Sequence, residues 1–169
     1  MKKIVITGPE SSGKTSLAHR LAVDFGISRV EEYARQYLNE NGLEYEEIDL
    51  LKIAKGQWMA EKNEAVNEPD YLICDTDLLT IKIWSAEKYG QVHPWILERV
   101  GKGVDLYLLI RPTLPWEADP QRAHPEDRER LFNIYKKELK ELQIPYVIID
   151  PTKKDFYEQV KFHTFMLRE

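Results

Sequence analysis

The chain has 169 residues, a length typical of one domain that buries most of the surface exposed by its unfolded form. Its 24 basic and 29 acidic residues give a formal net charge of −5, which excludes a general basic surface for nucleic acid or an anionic membrane. No apolar run approaches the ~20 residues of a membrane span, and Cys74, the single cysteine, has no partner for an internal disulfide. We therefore expect one soluble, unprocessed, cytoplasmic domain over residues 1–169.

Five short apolar runs have the length and composition of β-strands. Helical or loop sequence separates each run from the next, and this alternation predicts a mostly parallel sheet with helices on both faces. The sequence thus indicates an α/β fold. The predicted strands are residues 3–7, 27–30, 71–75, 104–110 and 146–150.

The helices between these strands are predicted from apolar spacing. Leu17, Leu21 and Phe25 are four residues apart, so the first helix begins at Lys14 and ends at Gly26. Three further helices are predicted at about residues 48–66, at 131–142 and from 154 onward.

Residues 8–15, GPESSGKT, match the phosphate-binding pattern G-x-x-x-x-G-K-[ST] between a strand and a helix. Gly8 and Gly13 allow backbone N–H groups to converge on phosphates at the positive end of the helix. Lys14 adds charge at the β- and γ-phosphates, and Thr15 is expected to bind Mg²⁺. The predicted ATP-binding residues of this loop are Gly8, Pro9, Glu10, Ser11, Ser12, Gly13, Lys14, Thr15 and Ser16.

Other strand ends supply candidate partners for a bound triphosphate. Asp75 ends the third predicted strand, where a carboxylate can hold magnesium through water. Asp77 either contacts the second substrate or caps a helix beginning at Leu78. After the second strand, Glu32 can accept a hydroxyl proton beside Arg35, although both are also compatible with a solvated helix start.

A switch GTPase is excluded because DTDL, residues 75–78, lacks the glycine that such a protein needs after its third strand. The last predicted strand is followed by DPTKKD, residues 150–155. Pro151 and Thr152 there either flank an adenine base or form a turn and helix cap.

Residues 111–127 contain four prolines and little periodicity, which predicts a lid. Arg122, and after it Arg128, are our candidates for neutralising charge on a transferred phosphoryl group, whereas Arg130 has the position of a solvated helix charge. Trp116 either stacks on a substrate ring or packs the loop onto the body of the protein.

Taken together, GPESSGKT, EEYARQYL, DTDLLTIKIW, KYGQVHPWIL and LPWEADPQR resemble the ribosylnicotinamide kinase domain of NadR-type NAD-biosynthesis proteins and their stand-alone ATPase-like relatives. The resemblance covers nearly the whole chain. It implies a P-loop kinase with five parallel strands that phosphorylates nicotinamide riboside from MgATP. It also implies that Glu32, Tyr33 and Arg35 lie at the acceptor end. By the same resemblance, Asp75 and Asp77 belong to the family's D-T-D, and Arg122 follows the lid tryptophan.

This sequence differs from the family at the ring-binding positions. Glu31 stands where members typically carry a stacking tryptophan, and no aromatic residue adjoins Lys62 on the long helix. The segment also resembles no adenylyltransferase domain, so we expect the kinase step alone.

The sequence predicts a P-loop kinase for a nucleoside-like hydroxyl, with nicotinamide riboside as the leading acceptor. A kinase for another nucleoside or vitamin precursor, and a regulatory ATP-binding module without a small acceptor, remain alternatives. The predicted catalytic residues are Lys14, Glu32, Asp75, Arg122 and Arg128, the predicted metal-binding residues are Thr15 and Asp75, and the predicted substrate-binding residues are Glu32, Tyr33, Arg35, Asp77 and Trp116.

Overall fold

All five predicted strands form, and they pair in parallel. The computed structural model describes residues 1–118, 121 and 126–166, and its strands lie in the spatial order second, third, first, fourth, fifth. This arrangement confirms the predicted five-stranded α/β fold. The strands are β1 (Lys2–Thr7), β2 (Ser28–Val30), β3 (Tyr71–Asp75), β4 (Leu106–Ile110) and β5 (Tyr146–Ile149).

The helices include those predicted and two others. The first begins at Lys14 and is ended by Gly26 at a φ of 61°, as the apolar spacing predicted. Apolar periodicity had not indicated the second helix, which is short and largely polar, or the four-residue fifth helix. The helices are α1 (Lys14–Phe25), α2 (Tyr33–Asn41), α3 (Glu47–Ala65), α4 (Leu78–Tyr89), α5 (Pro94–Leu97), α6 (Arg128–Leu142) and α7 (Phe156–Phe165).

Both faces of the sheet are buried. Ile4 and Ile6 of β1 belong to an apolar cluster that includes side chains of α1 and α7. Val5, between them, belongs to a second cluster that includes side chains of α4 and α6. Successive side chains of a strand point to opposite faces, so β1 is covered on both sides and lies at the centre of the sheet.

A third apolar cluster joins α2, α3 and α4 beside the sheet. Beside this cluster the ring of Tyr33 lies against Gly56 of α3 and occupies the space that a side chain would need. A Cβ atom on Gly56 would lie 2.0 Å from a ring carbon. The glycine therefore sets how closely α2 packs on α3.

Within the described part of the chain, no helix combines the length and hydropathy that spanning a bilayer would require.

The Tyr33–Gly56 contact predicts an unusual effect of alanine. Gly→Ala in the interior of a helix normally stabilises a protein by about 0.5–1 kcal/mol. We expect Gly56→Ala to lower the free energy of unfolding instead, by about 1–3 kcal/mol, because the new methyl group overlaps the Tyr33 ring. Urea denaturation of Gly56→Ala, Tyr33→Ala and the double variant measures the coupling. In the Tyr33→Ala background the same glycine change should stabilise; stabilisation in both backgrounds would contradict the contact.

Candidate functional site

The carboxyl ends of the parallel strands meet at one edge of the sheet and bring the candidate residues together. The phosphate-binding loop follows β1, Glu32 follows β2, and Asp75 ends β3. In open parallel sheets the ligand crevice lies at this edge, where the chain switches sides of the sheet. Here that point is at β1, which lies between β3 and β4.

The phosphate-binding loop rests directly on the end of β4. Gly8 has a φ of 136°, and a Cβ atom there would lie 2.7 Å from the carbonyl oxygen of Ile110. Inside the loop, the Ser12 hydroxyl and the Lys14 ammonium donate to the carbonyl oxygen of Pro9, at 2.8 and 2.7 Å. Gly13, at a φ of 87°, then begins α1. The backbone thus has the compact form that the sequence pattern predicted.

The loop after β4 lies against the phosphate-binding loop. The hydroxyl oxygen of Ser11 is 3.3 Å from both the backbone nitrogen and the carbonyl oxygen of Glu117. Arg128, at the start of α6, donates to the carbonyl oxygens of Leu114 and Ser11 at 2.9 and 3.4 Å. Its guanidinium therefore holds the two loops together, and its contact with a transferred phosphoryl group stays a prediction.

A cavity of about 520 Å³ extends along this edge. Its lining includes Arg20, Pro151 and Phe156 as well as Glu32 and Arg35. The volume lies in the range of small-molecule sites. The predicted residues that line this cavity are Glu10, Ser11, Ser12, Gly13, Lys14, Thr15, Ser16, Glu32, Arg35 and Pro151.

Glu32 occupies the N-cap position of α2, where its carboxyl group is half-buried. Burial raises its pKa, and the nearby carboxylates of Asp75 and Glu10 act in the same direction. Lys14 and Arg35 oppose this effect without reversing it. A carboxyl group in this position is compatible with the predicted general base, and that role of Glu32 stays a prediction.

Asp75 is only 2 % exposed at the end of β3. Burial raises the pKa of its carboxyl group, although a hydrogen bond from Thr15 and the charge of Lys14 lower it in part. One carboxylate oxygen, Oδ1, has no hydrogen-bond partner among the described residues. A buried oxygen of this kind is suited to an ordered water or a hydrated cation.

The surroundings of Asp77 favour its predicted capping role over its predicted acceptor role. Its carboxylate is 2 % exposed and caps α4, with Oδ1 accepting from the backbone N–H of Leu79 at 3.0 Å. The other oxygen accepts from the Tyr107 hydroxyl at 2.6 Å. Both oxygens are therefore occupied inside the protein, which leaves Asp77 with the second of its two predicted roles, the helix cap.

Trp116 and Thr152 do not line the cavity along the phosphate-binding loop. Trp116 lies beneath the guanidinium of Arg128, 5.8 Å from it, which favours packing over stacking on a substrate. The Thr152 hydroxyl and backbone N–H both donate to Asp150, at 2.7 and 3.0 Å, so this residue forms the turn rather than lining the cavity. Arg122 lies outside the described residues.

Sequence reasoning missed Gln57 of α3. Its side-chain oxygen accepts from the backbone N–H of Tyr33 at 2.9 Å, and its amide donates to Glu61 at 3.4 Å. Glu61 in turn forms a buried ion pair with Lys3 of β1 at 2.5 Å. Glutamine and glutamate at 57 and 61 continue the helical spacing from the buried Ile53, and this polar interruption of an apolar face was the available signal.

Two aromatic residues were also missed. Tyr45 and Trp84 line a second cavity, of about 550 Å³. Glu10, Lys14 and Glu32 line both this cavity and the first. Tyr45 and Trp84 are 39 positions apart in the chain, so no local pattern linked them. A third cavity, beside Glu31, is lined by Tyr33 and Asp75 among others.

Comparison with known proteins places the chain among P-loop proteins. The family described as "AAA domain" matches residues 3–158. The "Trifunctional NAD biosynthesis/regulator protein NadR" of Salmonella typhimurium and that of Escherichia coli are each 27 % identical over 164 residues, which is 92 % of this chain. The match covers 40 % of either relative, so this chain spans less than half of their length.

Solved structures agree with the fold. A NadR protein in complex with NAD and AMP-PNP has a TM-score of 0.77 at 26 % identity, covering 94 % of this chain and 47 % of that one. A deoxyadenosine kinase from M. mycoides has a TM-score of 0.67 at 15 % identity, covering 96 % of this chain and 98 % of that one. At that identity the kinase shows a shared fold alone.

The buried Asp77 carboxylate predicts a stability difference between two tyrosines. Tyr107→Phe should lower the free energy of unfolding by about 1–3 kcal/mol, because it leaves a buried charged oxygen without its donor. Tyr135→Phe is the matched control, since its hydroxyl donates to the neutral hydroxyl of Thr80 at 3.2 Å, which can rotate to another partner. Thermal or urea denaturation should show the larger loss for Tyr107→Phe. Equal losses would contradict the structural role given to Asp77.

Proposed function

The chain belongs to the AAA domain family, and we propose that it acts there as an ATP-dependent kinase that phosphorylates a hydroxyl of a small nucleoside-like acceptor. One observation carries this proposal: the half-buried carboxyl group of Glu32 adjoins Lys14 of the phosphate-binding loop in the same cavity. Nicotinamide riboside is the leading acceptor, supported by 27 % identity to two NAD biosynthesis/regulator proteins. The second candidate is another nucleoside.

In the proposed reaction, backbone N–H groups of residues 8–15 and the Lys14 ammonium bind the phosphates of ATP. Glu32 accepts the proton of the acceptor hydroxyl as that oxygen attacks the γ-phosphorus. The bond between the γ-phosphorus and the bridging oxygen breaks, which releases ADP and the phosphorylated acceptor. Arg35, within electrostatic reach of Glu32, orients the acceptor.

A magnesium ion suits the residues at the end of β3. Thr15 and Asp75 are the residues that would hold it, Thr15 directly and Asp75 through water, and the unpartnered Asp75 oxygen supports this assignment. When bound, Mg²⁺ neutralises charge on the β- and γ-phosphates. Thr15 is exposed to the cavity, and Asp75 lies behind it in the sheet.

The proposed kinase would act in the reducing environment of the cytoplasm. Cys74 lies in β3 and is fully buried. Burial raises the pKa of its thiol well above the usual range, so the group stays protonated and unreactive.

The raised pKa of Glu32 predicts how the reaction depends on pH. The carboxylate must be ionised to accept a proton, so kcat/KM should fall on acidification through a pKa above the ordinary glutamate value of about 4.3. Glu32→Gln should remove this acidic limb and lower kcat by about 10²–10⁴-fold. Glu31→Gln is the control, because Glu31 is exposed and paired with Arg29. Rates of ADP formation between pH 4.5 and 9 are measured for the unchanged protein, Glu32→Gln and Glu31→Gln. An unchanged acidic limb in Glu32→Gln would remove Glu32 from the base role.

The kinase proposal itself is tested by ADP formation with Mg²⁺ and a panel of nucleosides and vitamin precursors that includes nicotinamide riboside. We expect at least one nucleoside to raise turnover well above the basal rate, and Lys14→Ala to abolish transfer while its thermal denaturation profile is retained. Full activity in Lys14→Ala would contradict the assignment. ATP binding without stimulation by any acceptor would favour the regulatory ATP-binding alternative.

A further inference from the structure

The second cavity lies beside the phosphate-binding loop, and its wall carries two stacked aromatic rings. We propose that it binds the flat heteroaromatic ring of the acceptor, and that Trp84, supported by Tyr45, is the residue on which this ring stacks. This inference rests on the proposed kinase function and names the part of the site that selects the acceptor.

The rings of Tyr45 and Trp84 stack on each other, and contacts with α4 hold Tyr45 in place. Their centroids are 6.4 Å apart and their planes differ by 20°. Tyr45, in the connection between α2 and α3, is fastened to α4 by its carbonyl oxygen, which accepts from the Tyr89 hydroxyl at 2.9 Å and from the Lys88 ammonium at 3.2 Å. The same ammonium lies 3.6 Å from the centre of the Tyr45 ring. Trp84 is therefore held in place from behind before any ligand binds.

The cavity around these two rings has the composition of a ring site. Its lining combines aromatic and aliphatic side chains with charged residues on the side of the phosphate-binding loop, and the charges at Glu87 and Arg130 are paired with each other at 2.5 Å. The other charged residues of the lining are Glu10, Lys14, Glu32 and Lys88. Ligand pockets for planar molecules are typically apolar and aromatic with a few polar groups that set orientation. The lining includes the aliphatic residues Leu38, Leu43, Ile83 and Leu131.

The cavity is also placed correctly for the reaction. Lys14 and Glu32 line both this cavity and the one along the phosphate-binding loop, and Trp84 contributes to both walls. A nucleoside whose ring stacks on Trp84 can therefore direct its hydroxyl toward Glu32. At about 550 Å³ the volume is in the range that such a ligand needs.

The third cavity offers no comparable surface. It lies beside Glu31, which pairs with Arg29 at 2.5 Å, and most of its other lining residues are polar or charged. Its one aromatic residue, Tyr33, has its ring against Gly56. The tryptophan of α3, Trp58, packs edge-on against Trp95. Among the described residues, the aromatic surface near Glu32 is thus concentrated on the Trp84 side.

The test compares Trp84→Ala, Trp84→Phe and the control Glu31→Ala in steady-state assays with nicotinamide riboside and with deoxyadenosine. We expect Trp84→Ala to raise the KM of the accepted nucleoside about 10–100-fold, the effect typical of losing one stacked base. The value of kcat should change far less. Trp84→Phe should recover most of the affinity, and Glu31→Ala should resemble the unchanged protein. Binding of AMP-PNP and basal ATP hydrolysis by Glu31→Ala should equal those of the unchanged protein.

A second measurement keeps this inference separate from the kinase proposal. Titration of the protein with either nucleoside should quench tryptophan fluorescence, and the quenching should disappear in Trp84→Phe, whether or not phosphate is transferred. Transfer with an unchanged KM in Trp84→Ala would overturn the ring site and leave the kinase intact. Quenching by Trp84 without transfer would overturn the kinase and leave the ring site. Absence of quenching by both nucleosides at millimolar concentration would overturn the ring site.

Discussion

The close approach of Gly8 to Ile110 is the constraint on which the rest of the site depends. A side chain at Gly8 would meet a backbone carbonyl at 2.7 Å, and backbone in a sheet cannot move aside as a flexible side chain can. Because the position carries no Cβ atom, the phosphate-binding loop lies directly on the end of β4. The loop after β4 then reaches over Gly13 with Leu114 and meets Ser11 through Glu117. The absence of a side chain at Gly8 thus determines how closely the phosphate-binding loop packs on β4 and on the loop that follows β4.

Beneath this edge, buried charges connect the sheet to the acceptor side. Burial disfavours the Lys3 ammonium, but the carboxylates of Glu61 and Asp77 outweigh that effect and raise its pKa. Buried ion pairs contribute little net stability once their desolvation is counted, so their contribution here is geometric. Lys3 donates to Glu61, and Glu61 accepts from the side-chain amide of Gln57. Gln57 in turn accepts from the backbone N–H of Tyr33, the residue that follows Glu32. The position of the proposed base is thereby linked to β1.

The aromatic residues show how a ring site can change its place within one fold. Glu31 stands where the resemblance predicts a stacking tryptophan, and its carboxylate pairs with Arg29. The nearest aromatic platform is instead on the opposite wall, where α4 supplies Trp84 and the connection after α2 supplies Tyr45. In the proposed site, the phosphates and the acceptor ring are held by different parts of the molecule, so the acceptor can change while the phosphate-binding loop stays the same.

Sequence alone determined the features that depend on neighbouring residues. The five strands, the limits of α1 and the phosphate-binding loop follow from short-range periodicity, glycine conformation and a spaced motif, because the relevant interactions join residues a few positions apart. Tertiary structure alone decided the features made by distant residues. The second oxygen of Asp77 accepts from Tyr107, 30 positions away, Gln57 accepts from Tyr33 across 24 positions, and Tyr45 stacks on Trp84. No local pattern encodes which of several buried polar or aromatic side chains will meet, since that depends on how the helices pack against the sheet.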